Sequence, residues 1–230
     1  MAREIPANLR NFYNQSISSP CPEEDTLQGG FYDQIDGPKT FAYCERGLTG
    51  TGFYLSGDNG FVNMDIDCDG INTPGDGRCS GSDDTQYQTR WKDEVQEYGI
   101  EDLNTYVHPY VVLGNEGNYD PTFDPREYGI KPLSLVAVVC GDKLVYGIWG
   151  DSNGDDGPPL IGEASLSLAT ECFGTDMNAD NGYSGEDVLY IAFSGDEAVP
   201  GDSAAWDAAS YEEFEESITA LGDKLVAKLG

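Results

Sequence analysis

The sequence predicts a mainly β fold of the α+β class, a compact single-domain β-barrel with peripheral helices, for which a double-psi-like barrel is the fold-level analogy. Three observations predict it. Short runs of strand-forming residues recur between Gly, Asp and Pro turns along most of the chain. Helical periodicity is confined to a few segments, the firmest being C-terminal. The 230 residues are enough to bury one core, and no linker-like stretch divides them.

Taken in order, residues 7–15 predict a short opening helix, followed by Pro-, Gly- and Cys-rich sequence. Strands are expected at 40–44, 52–55, 61–67, 106–113, 133–139, 143–149 and 188–193, each rich in β-branched and aromatic residues. The runs around Val139 and Val145 flank the pair Gly141-Asp142, which reads as a two-residue hairpin turn. Helices are expected at 85–98, 162–172 and 210–229. In the last, Tyr211, Phe214, Ile218, Leu221, Leu225 and Leu229 form an apolar stripe behind a capping box at Ser210, a stripe suited to packing on the sheet. No fixed-period repeat marks a solenoid.

Six cysteines (Cys21, Cys44, Cys68, Cys79, Cys140, Cys172), with no CxxC pair and one histidine, favour disulfides over zinc. Sequence does not fix the pairing. Cys68 with Cys79 would close a short Gly-rich loop, and Cys140 with Cys172 would brace the strand and helix flanking the region 150–162. Disulfides imply an oxidising compartment, and Asn14-Gln15-Ser16 is a sequon consistent with secretion. No signal peptide is legible, Met1-Ala2-Arg3 reads as a start placed on a mature chain, and no apolar run is long enough to span a bilayer.

Charge narrows the partners. With 42 Asp and Glu against 12 Lys and Arg, the formal net charge is −30, which excludes nucleic acid and anionic membranes as natural ligands. A polycation is the natural opposite partner, held by an attraction that salt weakens; solubility alone would also account for acidity.

The chemistry concentrates between Leu144 and Cys172. Asp151 closes a run of strand formers, and Glu163 opens a run rich in Ala, Leu and Ser expected to be helical; the turn-rich SNGDDGPP separates them. A strand, a sharp loop and a helix start can turn two acids toward one cleft, as glycoside hydrolysis requires. Two ordinary roles compete with this reading: a turn-former at Asp151 and a first-turn acid at Glu163. His108, which precedes Pro109, reads as a satisfied structural residue, and Ser or Cys nucleophiles have no base beside them.

The segments WGD and GEAS, with VLYIAFSGDEAV after them and MDIDCDG and HPYVVLGNE before them, resemble the fungal chitosanases of glycoside hydrolase family 75. The resemblance runs from about Leu9 to Gly195, and the C-terminal helix lies outside these motifs. It implies secreted, endo-acting cleavage of chitosan, a partly deacetylated glucosamine polymer, with inversion at the anomeric carbon and Asp151 and Glu163 as the two essential acids. It also implies Glu163 as proton donor and Asp151 as base. Local physics points partly the other way: a helix first turn favours an ionised Glu163, and the neighbouring Asp155 and Asp156 favour a protonated Asp151.

Candidates for holding ammonium groups are Asp155 and Asp156, within the loop, and Asp65, Asp67 and Asp69, which alternation puts on one strand face. Aromatic cover for the sugars is expected from Tyr146 and Trp149. In a regular strand Trp149 shares the side of Asp151 and Tyr146 faces away, an assignment that a bulge would alter. Trp91 reads as helix packing.

Residues 65–70 match the opening of an EF-hand calcium loop, but Asp76 stands where a bidentate Glu is required; 151–157 is a fragment of such a loop, and 176–180 a weaker one, with Asn181 replacing the Gly. No metal and no catalytic cofactor are expected, and the enzyme is expected to act as a monomer. Competing readings are cleavage of another polysaccharide such as a β-1,4-glucan, a non-catalytic module binding a cationic polymer, and a calcium-stabilised structural protein.

Overall fold

The computed structural model describes residues 3–73, 75–80, 82, 85–154 and 157–229. It is a mixed α+β architecture dominated by one nine-stranded sheet. The strands are β1 (Thr26–Phe31), β2 (Phe41–Cys44), β3 (Gly52–Ser56), β4 (Val62–Asp67), β5 (Tyr110–Asn115), β6 (Leu135–Cys140), β7 (Lys143–Asn153), β8 (Glu163–Ser165) and β9 (Tyr183–Phe193). Their order is β1-β2-β3-β9-β4-β8-β5-β7-β6, and β6 also pairs with β9, so the sheet is partly ringed. Four α-helices accompany it among the described residues: α1 (Ala7–Ser16), α2 (Lys92–Gln96), α3 (Leu166–Phe173) and α4 (Tyr211–Val226).

The expected hairpin is present. Cys140 pairs with Lys143 across Gly141-Asp142, and Gly141 takes φ +60°, the left-handed conformation that such a turn requires. All six residues of β6 are buried, as its unbroken apolar run implies for a strand covered on both faces. One apolar cluster extends from Leu9 through both sheet faces to Leu229.

Helix α4 packs on β6 and β7 through Phe214, Ile218 and Leu225. Its close approach depends on Gly222, where a Cβ would lie 2.6 Å from the Tyr146 ring. The predicted cap is formed: Ser210 accepts from the Glu213 amide, and Glu213 Oε2 accepts from the Ala209 amide. Among the described residues, no helix is long and apolar enough to cross a membrane.

Two helices differ from expectation. The segment 85–98 keeps only the short α2, because the amides of Thr89 and Arg90 donate to the carboxylates of Asp102 and Asp151 instead of to helical carbonyls. The helix expected from 162 begins at Leu166, capped by Ser165, whose hydroxyl accepts from the Leu168 amide. Glu163 therefore lies in a strand. β7 continues past Trp149 to Asn153, and β1 and β8 are additional strands.

The cysteines pair as Cys21–Cys44, Cys68–Cys79 and Cys140–Cys172. The third ties the end of β6 to the last turn of α3, and the second closes the loop that follows β4.

Candidate active site

The site is built on a row of residues crossing four adjacent strands. Val112 of β5 pairs with Asp151 of β7 on one side and Glu163 of β8 on the other, and Glu163 pairs onward with Asp65 of β4. Register partners project from the same face of a sheet, so Asp151 and Glu163 leave one face with Val112 between them. Two strand spacings put their backbones about 9–10 Å apart.

Asp151 reaches this face through a bulge. Val111 pairs with Trp149 while its neighbour Val112 pairs with Asp151, so Gly150 is an extra residue in β7. Neighbours on β5 face opposite ways, and the bulge sends Trp149 away from the side of Asp151. A Cβ at Gly150 would lie 2.5 Å from that of Tyr110, which makes glycine a packing requirement here.

Asp151 is only 4 % exposed. Its Oδ1 accepts from the amides of Arg90 (2.8 Å) and Ser152 (2.7 Å), whereas its buried Oδ2 has no hydrogen-bond partner. Burial, followed by the nearby charges of Asp67 and Asp69, pushes its pKa well above the usual carboxylate range; the two amide donors oppose this shift. The carboxyl is held protonated to higher pH.

Glu163 is half-buried, and Asn153 Nδ2 donates to its Oε2 at 2.8 Å. That contact fixes one carboxylate oxygen. The two acids, Val112, Asn153, Asp67, Asp69, Ser152, Gln86 and Ile66 line one polar cleft.

Asp67 and Asp69 extend the acidic wall beside Asp151. Asp69 lies past the end of β4, in a turn where its amide donates to Asp67 Oδ1 at 2.7 Å, and its own Oδ1 accepts from the Gln86 amide at 2.6 Å. One carboxylate oxygen each from Asp67, Asp69 and Asp151 can be chosen so that all lie within 4.8 Å of one another. Asp65, the register partner of Glu163, does not line the cleft, and Asn63 Nδ2 donates to its Oδ2 at 3.3 Å. Burial raises the pKa of Asp65, and that of the nearby buried Asp33 rises to about 6 through burial and the charges of Glu186 and Asp65.

The expected aromatics are elsewhere. Trp149 is in the core, its Nε1 donating to the carbonyls of Leu113 and Asp151, with Trp91 packed edge-on against it. Tyr146 lies beneath α4 and hydrogen-bonds to Asp223 Oδ1. Both side chains are buried in packing contacts, and neither lines the cleft. Asp155 and Asp156 lie outside the described residues. His108 is structural: Nδ1 accepts from the Asn104 amide, which leaves Nε2 to donate to the Trp206 carbonyl.

Two contacts were not anticipated. The Arg90 contact to Asp151 is made by the backbone, which leaves no residue-type signature. Asn153 reads as a turn residue until strand pairing carries it past Asp151 to Glu163. A buried acid with a raised pKa and a half-exposed second acid, one strand apart in a polar cleft, are the kind of pair that acid–base hydrolysis of a glycoside uses.

Comparison with known proteins agrees. Residues 64–228 match the family described as fungal chitosanase of glycosyl hydrolase group 75. An endo-chitosanase of Aspergillus oryzae is 52 % identical over 99 % of this chain and 93 % of its own length. Endo-chitosanase B of Aspergillus oryzae is 46 % identical and an endo-chitosanase of Aspergillus fumigatus 43 %, each over 99 % of this chain and 92 % of its own length. The chain belongs to the fungal chitosanases of group 75, a glycoside hydrolase family. The match runs through α4, so the C-terminal helix is part of the family pattern and not an addition to it.

Proposed function

We propose that this chain is a secreted, single-domain endo-chitosanase that hydrolyses β-1,4 bonds of chitosan with inversion. Asp151 and Glu163 are its working carboxylates. The observation that carries this reading is their common register partner, Val112. A backbone separation of about 9–10 Å suits carboxyl groups roughly 6.5–9.5 Å apart, the spacing that admits a water between acid and sugar.

The buried Asp151, with its raised pKa, donates the proton to the departing oxygen. Glu163, half-exposed and oriented by Asn153, takes a proton from water attacking the opposite face of the sugar. This division reverses the one that the family resemblance implies. Its support is the environment of Asp151 and the location of Glu163 in a strand, ahead of the first turn of α3.

Asp67 and Asp69, on the cleft wall, attract the ammonium groups of the polymer, and the net charge of −30 concentrates a polycation around the whole molecule. The three disulfides support a secreted protein. The main apolar cluster, which runs from Leu9 to Leu229, supports one domain, and self-repulsion at this charge supports a monomer. The pairing path β9-β4-β8-β5-β7-β6 and back to β9 supports a barrel reading of the double-psi kind.

The test is NMR of the products from a glucosamine oligomer, using native protein, Asp151→Asn and Glu163→Gln, with folding checked by circular dichroism. The inverted anomer should appear first, and both folded variants should lose cleavage. Initial release of the retained anomer, or cleavage persisting in either variant, would overturn the assignment.

A further inference from the structure

We infer that Asp67, Asp69 and Asp151 form a binding site for one hard divalent cation of the calcium class, and that its occupation blocks hydrolysis. The inhibitory part rests on the proposed role of Asp151; the binding part does not.

Three observations carry the inference. First, the three carboxylates present oxygens within 4.8 Å of one another, inside the roughly 5 Å that two ligands span across an ion at 2.3–2.6 Å. The donors are all hard carboxylate oxygens, which suit calcium and exclude soft, thiolate-seeking ions. Second, Asp151 is 96 % withdrawn from solvent by its 4 % exposure, and its Oδ2 is buried without a hydrogen-bond partner. Its other oxygen is fixed by two backbone amides, so the carboxylate plane is set before any ligand arrives. Third, the cavity within the cleft is about 70 Å³. That exceeds the roughly 10–15 Å³ that a water-sized probe needs, so an ion with its water can enter.

The two sequence segments that each resemble an incomplete calcium loop, 65–70 and 151–157, thus meet in space. Asp67 and Asp69 come from the first and Asp151 from the second. Neither loop is a site by itself. The segment 176–180 contributes no residue to the group.

The consequence is inhibition. A carboxylate of Asp151 bound to a cation carries no proton to deliver to a leaving group. Cation and scissile sugar therefore compete for one side chain. With three protein ligands and the rest water, affinity should fall among the weak extracellular sites, with Kd on the order of 0.1–1 mM.

The experiment is calorimetric titration of chelator-treated, full-length protein with calcium chloride at fixed ionic strength, paired with oligomer hydrolysis rates at matched calcium concentrations. Variants are Asp67→Asn, Asp69→Asn and, as control, Asp180→Asn. One saturable site is expected in the native protein and in Asp180→Asn, with affinity reduced about tenfold or more in the other two. Native hydrolysis should fall as that site fills. Equal binding by native protein, Asp67→Asn and Asp69→Asn, or no saturable binding up to about 10 mM, overturns the site. Saturation without inhibition overturns the competition. Cleavage without calcium binding sinks the cation site and leaves the hydrolase reading intact, whereas calcium binding by a protein that never cleaves chitosan does the reverse.

Discussion

Asp151 and Glu163 share one register partner, Val112, and so face a common cleft from strands that do not touch each other. Their separation is set by the hydrogen-bonded spacing of the sheet and not by a loop. Glu163→Asp should therefore be poorly tolerated, because a shorter side chain withdraws the carboxylate by roughly an ångström from a fixed backbone. A fall in kcat on the order of 10²-fold is expected, with KM much less affected. Wild-type kcat in this variant would show that the strand shifts to compensate.

Asn153 acts through Glu163, as a positioning residue. Its Nδ2 donates to Oε2 at 2.8 Å, so Asn153→Ala leaves the carboxylate free to turn. The expected loss is about tenfold in kcat, in keeping with roughly 1.5 kcal/mol for a hydrogen bond to a charged group. Asn153→Gln should recover less than the native rate. A pure KM effect would assign Asn153 to substrate binding instead.

The alkaline limb of the pH–rate profile follows from Asp151. In the proposed division of roles activity requires its protonated form, and burial together with the Asp67 and Asp69 charges raises its pKa. Removing one of those charges must lower it, so in Asp69→Asn the alkaline limb should move to lower pH. The limb is measured by initial rates on oligomers across pH in calcium-free buffer. An unmoved limb would assign it to another group.

His108 makes folding sensitive to acid. Burial lowers its pKa to about 4, below its ordinary value of 6.5. A depressed folded value means that the unfolded chain binds the proton more readily. The resulting stability is complete above the unfolded pKa and is lost as pH falls from about 6.5 toward about 4. The full loss should be on the order of 3 kcal/mol. Denaturant midpoints for native protein and His108→Gln should converge as pH falls, and a constant gap between them would refute this origin.

The Cys140–Cys172 bridge joins β6 to α3, closing a loop with a sequence separation of 32. Replacing both residues by Ala should cost about 2–4 kcal/mol. Because α3 follows directly from the short β8, the same variant should also reduce kcat. Lost stability with unchanged kcat would show that pairing with β4 and β5 alone holds Glu163.

Sequence made much of this legible where local signals agree with tertiary packing. The hairpin at Gly141-Asp142, the Ser210 cap and the apolar stripe of α4 are each specified by residues adjacent in the chain. Asp151 and Glu163 are legible as a pair through the WGD and GEAS segments. The site's neighbours were harder to read. Gly150 appears in sequence as an ordinary strand glycine, yet the bulge there decides that Trp149 enters the core while Asp151 faces the cleft. β8 is three residues long and precedes helix formers, so its strand character depends on β4 and β5 on either side. Local propensity cannot report a pairing whose partners are distant in the chain.

That three-residue strand also governs when the enzyme becomes an enzyme. Glu163 is held by parallel pairing to residues in the first third of the chain and by antiparallel pairing to its middle, both contacts requiring closure of long chain segments. Chain collapse and hairpin formation can precede these closures, but neither brings Glu163 opposite Asp151. Catalytic competence is therefore a late event of maturation, and a nascent chain still short of β8 carries no working cleft.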